Sequence, residues 1–224
     1  MKRQYFLAGL VVAAVIALAV FGYVLFFGGD STSDALAANA GTQDVTVLPG
    51  DITLGSPKAP VTMLEYAAPT CPVCAYFNHE NFPTIRKEYI DTGKVYYIFR
   101  VFPLSSVDLA AEGILRCLPK NQYLQFLDTL FRNQDKWDPD GHDIPDVHAA
   151  LVSMARVAGM DAAQADKCMA DPAQLARASK VGADASAQYG VHGTPTFIVN
   201  GEIHVGPSTI DAWRKLLNAK LAKK

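Results

Sequence analysis

The sequence predicts an α/β fold whose sheet is interrupted by an all-helical insertion, with a membrane-spanning or signal segment in front of it. Three observations predict this. A strand, helix and strand follow one another between Pro60 and Phe102; residues 105–189 carry helix caps and helical periodicity throughout; and a strand, tight turn, strand and helix follow Gly190. Strand-helix-strand units imply a parallel pair, and the return to strands after residue 189 places the helices within one sheet rather than beside it.

At the N-terminus, Lys2 and Arg3 precede an uncharged run from Tyr5 to Phe27. As a helix this run is long enough to cross a hydrocarbon core of roughly 30 Å, and it exceeds the usual h-region of a secretory signal. Residues 1–29 are therefore expected to be a signal anchor. The small residues from Asp34 to Ala40 leave cleavage after Ala37 or Ala40, as in a signal peptide, as the other outcome. Basic residues before the span and Asp30 and Asp34 after it direct the rest of the chain out of the cytoplasm, where disulfides are permitted. Residues 30–44 are small and polar, a linker to a domain spanning 45–224.

The chain has 20 basic and 22 acidic residues. Leaving out residues 1–29 removes two basic ones, so the exported part carries 18 against 22, a net of −4. That balance, with no basic run beyond the KLLNAKLAKK tail, argues against nucleic-acid binding.

Both early strands, VTMLEYAA and KVYYIFRVF, are near-continuous apolar runs, as expected where both sheet faces are covered. The helix between them is predicted from about Cys71 to Tyr89, punctuated by Pro83. In the insertion, Ser105 and Asp108 have capping-box spacing before a helix ending at Pro119. A second helix places Tyr123, Leu124, Leu127, Leu130 and Phe131 on one face, and a third runs from Pro145 to Gly159. A fourth opens on Asp171 and Pro172 and stops at Gly190. After TFIVN, the Asn200-Gly201 pair is a strong hairpin signal, followed by EIHVG and a closing helix from about Ser208.

The chemistry centres on TCPVCA, residues 70–75. Cys71 is expected at the start of its helix with Cys74 one turn on, within disulfide reach. Unpaired N–H groups and the positive end of the helix dipole favour a thiolate at Cys71. A stabilised thiolate leaves easily, so lowering its pKa makes the disulfide form the stronger oxidant. Pro72 suits the first turn, and Val73 adds no donor to the thiolate. A structural disulfide or half a zinc site are the other readings of the pair. Zinc needs a second Cys-x-x-Cys or a spaced histidine pair, whereas Cys117 and Cys168 stand alone and His79, His142, His148, His192 and His204 lack ligand-like spacing. No metal and no cofactor are expected.

Cys-x-x-Cys after a strand, with GTPTF far downstream opening another, resembles the thioredoxin superfamily, and within it the DsbA-like thiol:disulfide oxidoreductases of the bacterial envelope. The resemblance covers GSPKAPVTMLEYAAPTCPVC, DTGKVYYIFRVFPL, the insertion with LFRNQ, and GVHGTPTFIVNG. It implies a thioredoxin fold with Cys71 as nucleophile and Cys74 as resolving cysteine. It makes Thr194-Pro195 the cis-proline loop beside them, with Thr194 backbone and the Pro72-Val73 dipeptide contacting substrate. Glu65 matches the family's buried acid, and burial would raise its pKa so that it could take the proton of Cys74 during resolution. A carboxylate turned to solvent at the strand end is the alternative. Cys117 and Cys168 match a second cysteine pair found in some members. Bridged, they close a loop of about fifty residues worth roughly 4 kcal/mol in the chain-entropy model; two separately buried thiols are the alternative.

The resemblance implies a monomeric periplasmic oxidase that introduces disulfides into exported proteins with cysteine thiols. A membrane redox partner of quinone-linked type, or a small-molecule oxidant, would then reoxidise the pair, whereas one of reductase type would keep it reduced; the apolar run at residues 5–27 would tether the enzyme near such a partner. A disulfide isomerase or reductase on the same scaffold is the first alternative, and a non-catalytic peptide-binding domain stapled by its cysteines the second.

Overall fold

The computed structural model describes residues 45–206 and 209–223. The expected membrane segment at 5–27 and the linker at 30–44 lie outside these residues, and among the described residues no helix is long and apolar enough to cross a membrane.

The core is a five-stranded sheet. Its strands are β1 (Ile52–Leu54), β2 (Val61–Ala67), β3 (Val95–Val101), β4 (Thr196–Val199) and β5 (Glu202–Val205), in the order β1-β3-β2-β4-β5. β2 and β3 are parallel, in register Val61↔Val95 through Ala67↔Val101. A parallel pair needs a crossover, and the helical segment from Pro72 to Ile90 supplies it. The other pairings are antiparallel. Six of seven residues in each of β2 and β3 are buried, which is why neither shows polar alternation. β1 is not among the expected strands: three residues are too few to carry a period, and its place is set by pairing with β3.

The predicted helix after β2 is present but not regular. It comprises α1 (Pro72–Tyr76), a π-type turn (Phe77–Asn81), α2 (Phe82–Ile85) and a second π-type turn (Arg86–Ile90). Pro83 has no N–H to give to the preceding turn, so the regular ladder breaks there.

Between β3 and β4 the helices are α3 (Ser106–Cys117), α4 (Tyr123–Arg132), α5 (Gln134–Trp137), α6 (Val147–Val157), α7 (Ala162–Met169) and α8 (Pro172–Tyr189). Ser105 caps α3 in a full capping box: its hydroxyl accepts from the N–H groups of Val107 and Asp108, and the Asp108 carboxylate accepts from Ser105 N at 3.0 Å. Asp171 caps α8, and Gly190 ends it at φ 65°. The sequence reading names four helices here and misses α5 and α7. α7 has its own cap, with Asp161 accepting from Gln164 N at 2.8 Å, a signal that was available in the sequence.

The two sheet faces bury different clusters. Met63, Ala67, Tyr97, Phe99, Phe197 and Val199 face the helix after β2, the insertion and α9 (Ile210–Leu221). Leu64, Tyr66, Ile98 and Ile198 face α8 through Ala185 and Tyr189. The β4-β5 turn has positive φ at Asn200 (48°) and Gly201 (80°), as a two-residue hairpin requires. Asn200 also ties the turn to β2, accepting from Thr62 N at 2.8 Å and donating its own N–H to Thr62 O at 2.9 Å.

Candidate active site

Cys71 is the N-cap of α1: its φ and ψ are extended, and its Sγ accepts the Cys74 N–H at 3.1 Å. Both cysteines are free thiols and buried, Cys71 at 5% exposure and Cys74 at 0%. Pro72 occupies the first turn, where a missing N–H costs nothing. Pro72 and Val73 are exposed beside Cys71, Val73 at 58%. The Thr194-Pro195 bond is cis, and the Thr194 carbonyl faces Cys71, whose thiol in its protonated form donates to Thr194 O at 3.5 Å. The chain thus brings residues 71 and 194 together over the end of β2 and β4.

The two sulfurs are electrically opposite. Cys71 is lowered to about 6, first by the hydrogen bond from the Cys74 thiol and further by the N–H groups of Cys74 and Val73, against burial. Where the helix terminus is expected to lead, the neighbouring thiol leads instead and the amides follow. Cys74 is pushed far up by burial, and then by the Cys71 sulfur and its charge. At neutral pH the pair therefore consists of a thiolate at Cys71 and a thiol at Cys74.

Glu65 lies inside, 3% exposed, rather than at a solvent-facing strand end. Burial raises it to about 8, with the Tyr97 hydrogen bond pulling down and the Cys71 charge pushing up. The Tyr97 hydroxyl donates to Glu65 Oε2 at 2.6 Å. Tyr97 was absent from the sequence-based candidates; its signal was its position two residues from Phe99, the strand-register partner of Glu65.

The peptide ahead of Cys71 is anchored by the insertion. Thr70 N donates to Asp108 Oδ1 at 2.9 Å, and Gln134 Nε2 donates to Pro69 O at 2.8 Å. Asp108 is fully buried without a cation; its carboxylate is balanced by Thr70 N, Leu104 N, Ser105 N and the Ser105 hydroxyl. Val73, Tyr76 and Leu104, each more than half exposed, give the surface around this peptide an apolar character.

Cys117, at the end of α3, and Cys168, in α7, form a disulfide with Cα atoms 6.0 Å apart. A β-carbon at Gly113 would meet Cys168 O at 2.4 Å, so only glycine lets α3 and α7 come this close. Trp137 and Trp213 are wholly buried, and Trp137 Nε1 donates to Leu130 O at 2.9 Å. His79 Nε2 lies 4.0 Å from Asp128 Oδ1. Among the described residues no cluster of three metal-ligating side chains occurs.

A sheet bearing a Cys-x-x-Cys helix cap against a cis-proline loop defines a thioredoxin-fold protein with a thiol pair at its site. The family described as Thioredoxin matches residues 47–219, and the chain belongs to it. Among solved structures, alpha-DsbA1 of Wolbachia pipientis superposes with a TM-score of 0.71 at 28% identity, covering 80% of this chain and 94% of that one. A Rickettsia felis chain named as a protein-disulfide oxidoreductase is 32% identical over 72% of this chain and 57% of its own length. A Bacillus cereus chain named as disulfide bond formation protein D is 28% identical, covering 76% of this chain and 79% of that one. The chain thus spans little more than half the length of the Rickettsia relative.

Proposed function

We propose that this chain is a thiol:disulfide oxidoreductase of DsbA type, working as an oxidase on exported proteins with cysteine thiols. The observation that carries the proposal is the setting of Cys71: a buried sulfur capping α1, favoured as a thiolate by the Cys74 thiol and the N–H groups of Cys74 and Val73, with the Thr194 backbone beside it to align a client strand. In the disulfide form, a client thiolate attacks Cys71 Sγ. The Cys71–Cys74 bond breaks, Cys74 leaves and takes a proton, and a client–Cys71 disulfide forms. A second client thiolate then attacks the client sulfur, and Cys71 departs as the thiolate that the site stabilises. The client leaves with a disulfide and the enzyme with two thiols.

Glu65 is the acid for the Cys74 step, and the Thr194-Pro195 loop with Pro72 and Val73 receives the client. The exposed Val73, Tyr76 and Leu104 suit an unfolded chain, which presents apolar residues around its cysteines. The proposal includes a periplasmic location, a monomeric state, tethering by residues 5–27 and reoxidation by a quinone-linked membrane partner that accepts the two electrons; a partner of reductase type belongs to the reductase or isomerase reading. Cys117 and Cys168 are assigned a structural role.

The deciding experiment is the redox equilibrium of Cys71–Cys74 against glutathione. A potential near about −120 mV supports the oxidase, and one near about −270 mV a reductase. Recovery of scrambled ribonuclease without faster oxidation of reduced ribonuclease would assign an isomerase instead.

A further inference from the structure

Glu65 is a carboxyl group buried among apolar side chains, and among the described residues its one hydrogen-bond partner is a phenol from the next strand. In the parallel β2-β3 pair, Tyr97 is level with Met63, two residues before Glu65, so the two side chains share a face and meet on the diagonal. Tyr97 is 2% exposed, and its ring lies 4.9 Å from that of Phe82, which fixes its direction. Among the described residues its hydroxyl bonds to Glu65 Oε2 alone.

We propose that Tyr97 is a positioning residue for proton transfer between Glu65 and Cys74: its hydroxyl fixes the carboxyl and takes up part of the negative charge that appears there when the proton moves to sulfur. The inference rests on the exchange reading above and assigns a residue to one of its steps. When Cys74 leaves, Glu65 gives its proton to the Cys74 sulfur and becomes a buried carboxylate. In reverse, that carboxylate takes the proton from the Cys74 thiol, Cys74 attacks Cys71 Sγ, and the bound thiol departs as a thiolate. A lone buried carboxylate is costly, and one strong donor offsets part of that cost in both directions.

The ionisable groups around Glu65 are few. Cys71 and Cys74 face it from α1, and their charges reach it or Tyr97. Tyr123 of α4 lies near Tyr97 but gives its own hydroxyl to Glu112 of α3. β4 presents apolar Phe197 opposite Glu65. No lysine or arginine among the described residues bonds to the carboxyl, which leaves the phenol as its donor.

The test uses the full chain carrying glutathione as a mixed disulfide on Cys71, with glutathione release followed against pH. In the unaltered protein, release rises through the titration of Glu65. Tyr97→Phe should move that inflection up by about one to two pH units and slow release at neutral pH by about ten- to a hundredfold. Glu65→Gln should remove the inflection, and adding Tyr97→Phe to it should then shift nothing further. An unmoved inflection in Tyr97→Phe, where Glu65→Gln abolishes it, overturns the inference and leaves Tyr97 as packing alone. An inflection that survives Glu65→Gln overturns it too, by removing Glu65 from the step. If the unaltered protein forms no glutathione adduct, the exchange reading itself is wrong. Infrared difference spectra of the unaltered protein give a check that needs no Tyr97 variant. The protonated carboxyl band, assigned by its loss in Glu65→Gln, should lie at the frequency of a hydrogen-bonded acid, and a free-acid frequency overturns the inference.

Discussion

The two cysteine pairs share one chain and differ in nearly every physical respect. Cys71 and Cys74 are neighbours in sequence, free, and joined by a 3.1 Å hydrogen bond at the start of α1. Cys117 and Cys168 are 51 residues apart, bonded, and lie between two helices of the insertion. Closing the first pair restricts almost no chain; closing the second restricts a long loop, so its bond contributes mainly to stability. The charge difference runs the other way: at the first pair one sulfur is held down and its neighbour pushed up. That asymmetry, rather than the presence of two thiols, separates a reactive pair from a staple.

The largest expected effect comes from removing the proposed nucleophile. Cys71→Ser should reduce thiol exchange with reduced ribonuclease to the uncatalysed background, while the far-ultraviolet circular dichroism stays unchanged. Next, replacing both Cys117 and Cys168 by alanine should lower unfolding stability by up to about 4 kcal/mol in urea titrations, with exchange through Cys71 retained. Loss of exchange with unchanged stability would reverse the roles given to the two pairs.

A third test concerns the acid beneath the reactive pair. Glu65 is raised in the fold from 4.5 to about 8, so its effect on stability is most favourable below about pH 4.5 and is lost as pH rises through about 8. Glu65→Gln, which cannot ionise, should therefore gain stability over the unaltered protein across that window, by of order 4 kcal/mol at its upper end. Denaturation midpoints of reduced protein against pH would show it, and parallel curves for the two proteins would refute it. The smallest effect is on Cys71 itself. Its thiolate absorbance should titrate near 6, and Cys74→Ala, which deletes the leading hydrogen bond, should raise that midpoint by a unit or more.

Much of this was legible from residues alone. The paired apolar strands, the capping box at Ser105 and Asp108, the Asn200-Gly201 turn and the cap position of Cys71 all rest on local rules that the fold leaves intact. What escaped was set by tertiary partners. β1 exists because β3 offers it an edge, and Tyr97 matters because strand register places it beside Glu65. The influence of the Cys74 thiol on Cys71 outweighs that of the helix amides because the proximity of two sulfurs depends on how α1 is wound, which the spacing only permits. The π-type turns around Pro83 show the same limit: the proline marks a break, but the packing chooses its form.

Pro69 O and Thr70 N are the two ends of one peptide unit, and side chains from different helices hold each of them. The plane of that amide cannot tip without breaking a bond to Asp108 or to Gln134. Under the proposed exchange, a client joined to the neighbouring sulfur would pull against this fixed plate, which would pass the load into the helices of the insertion and keep the sulfurs in place.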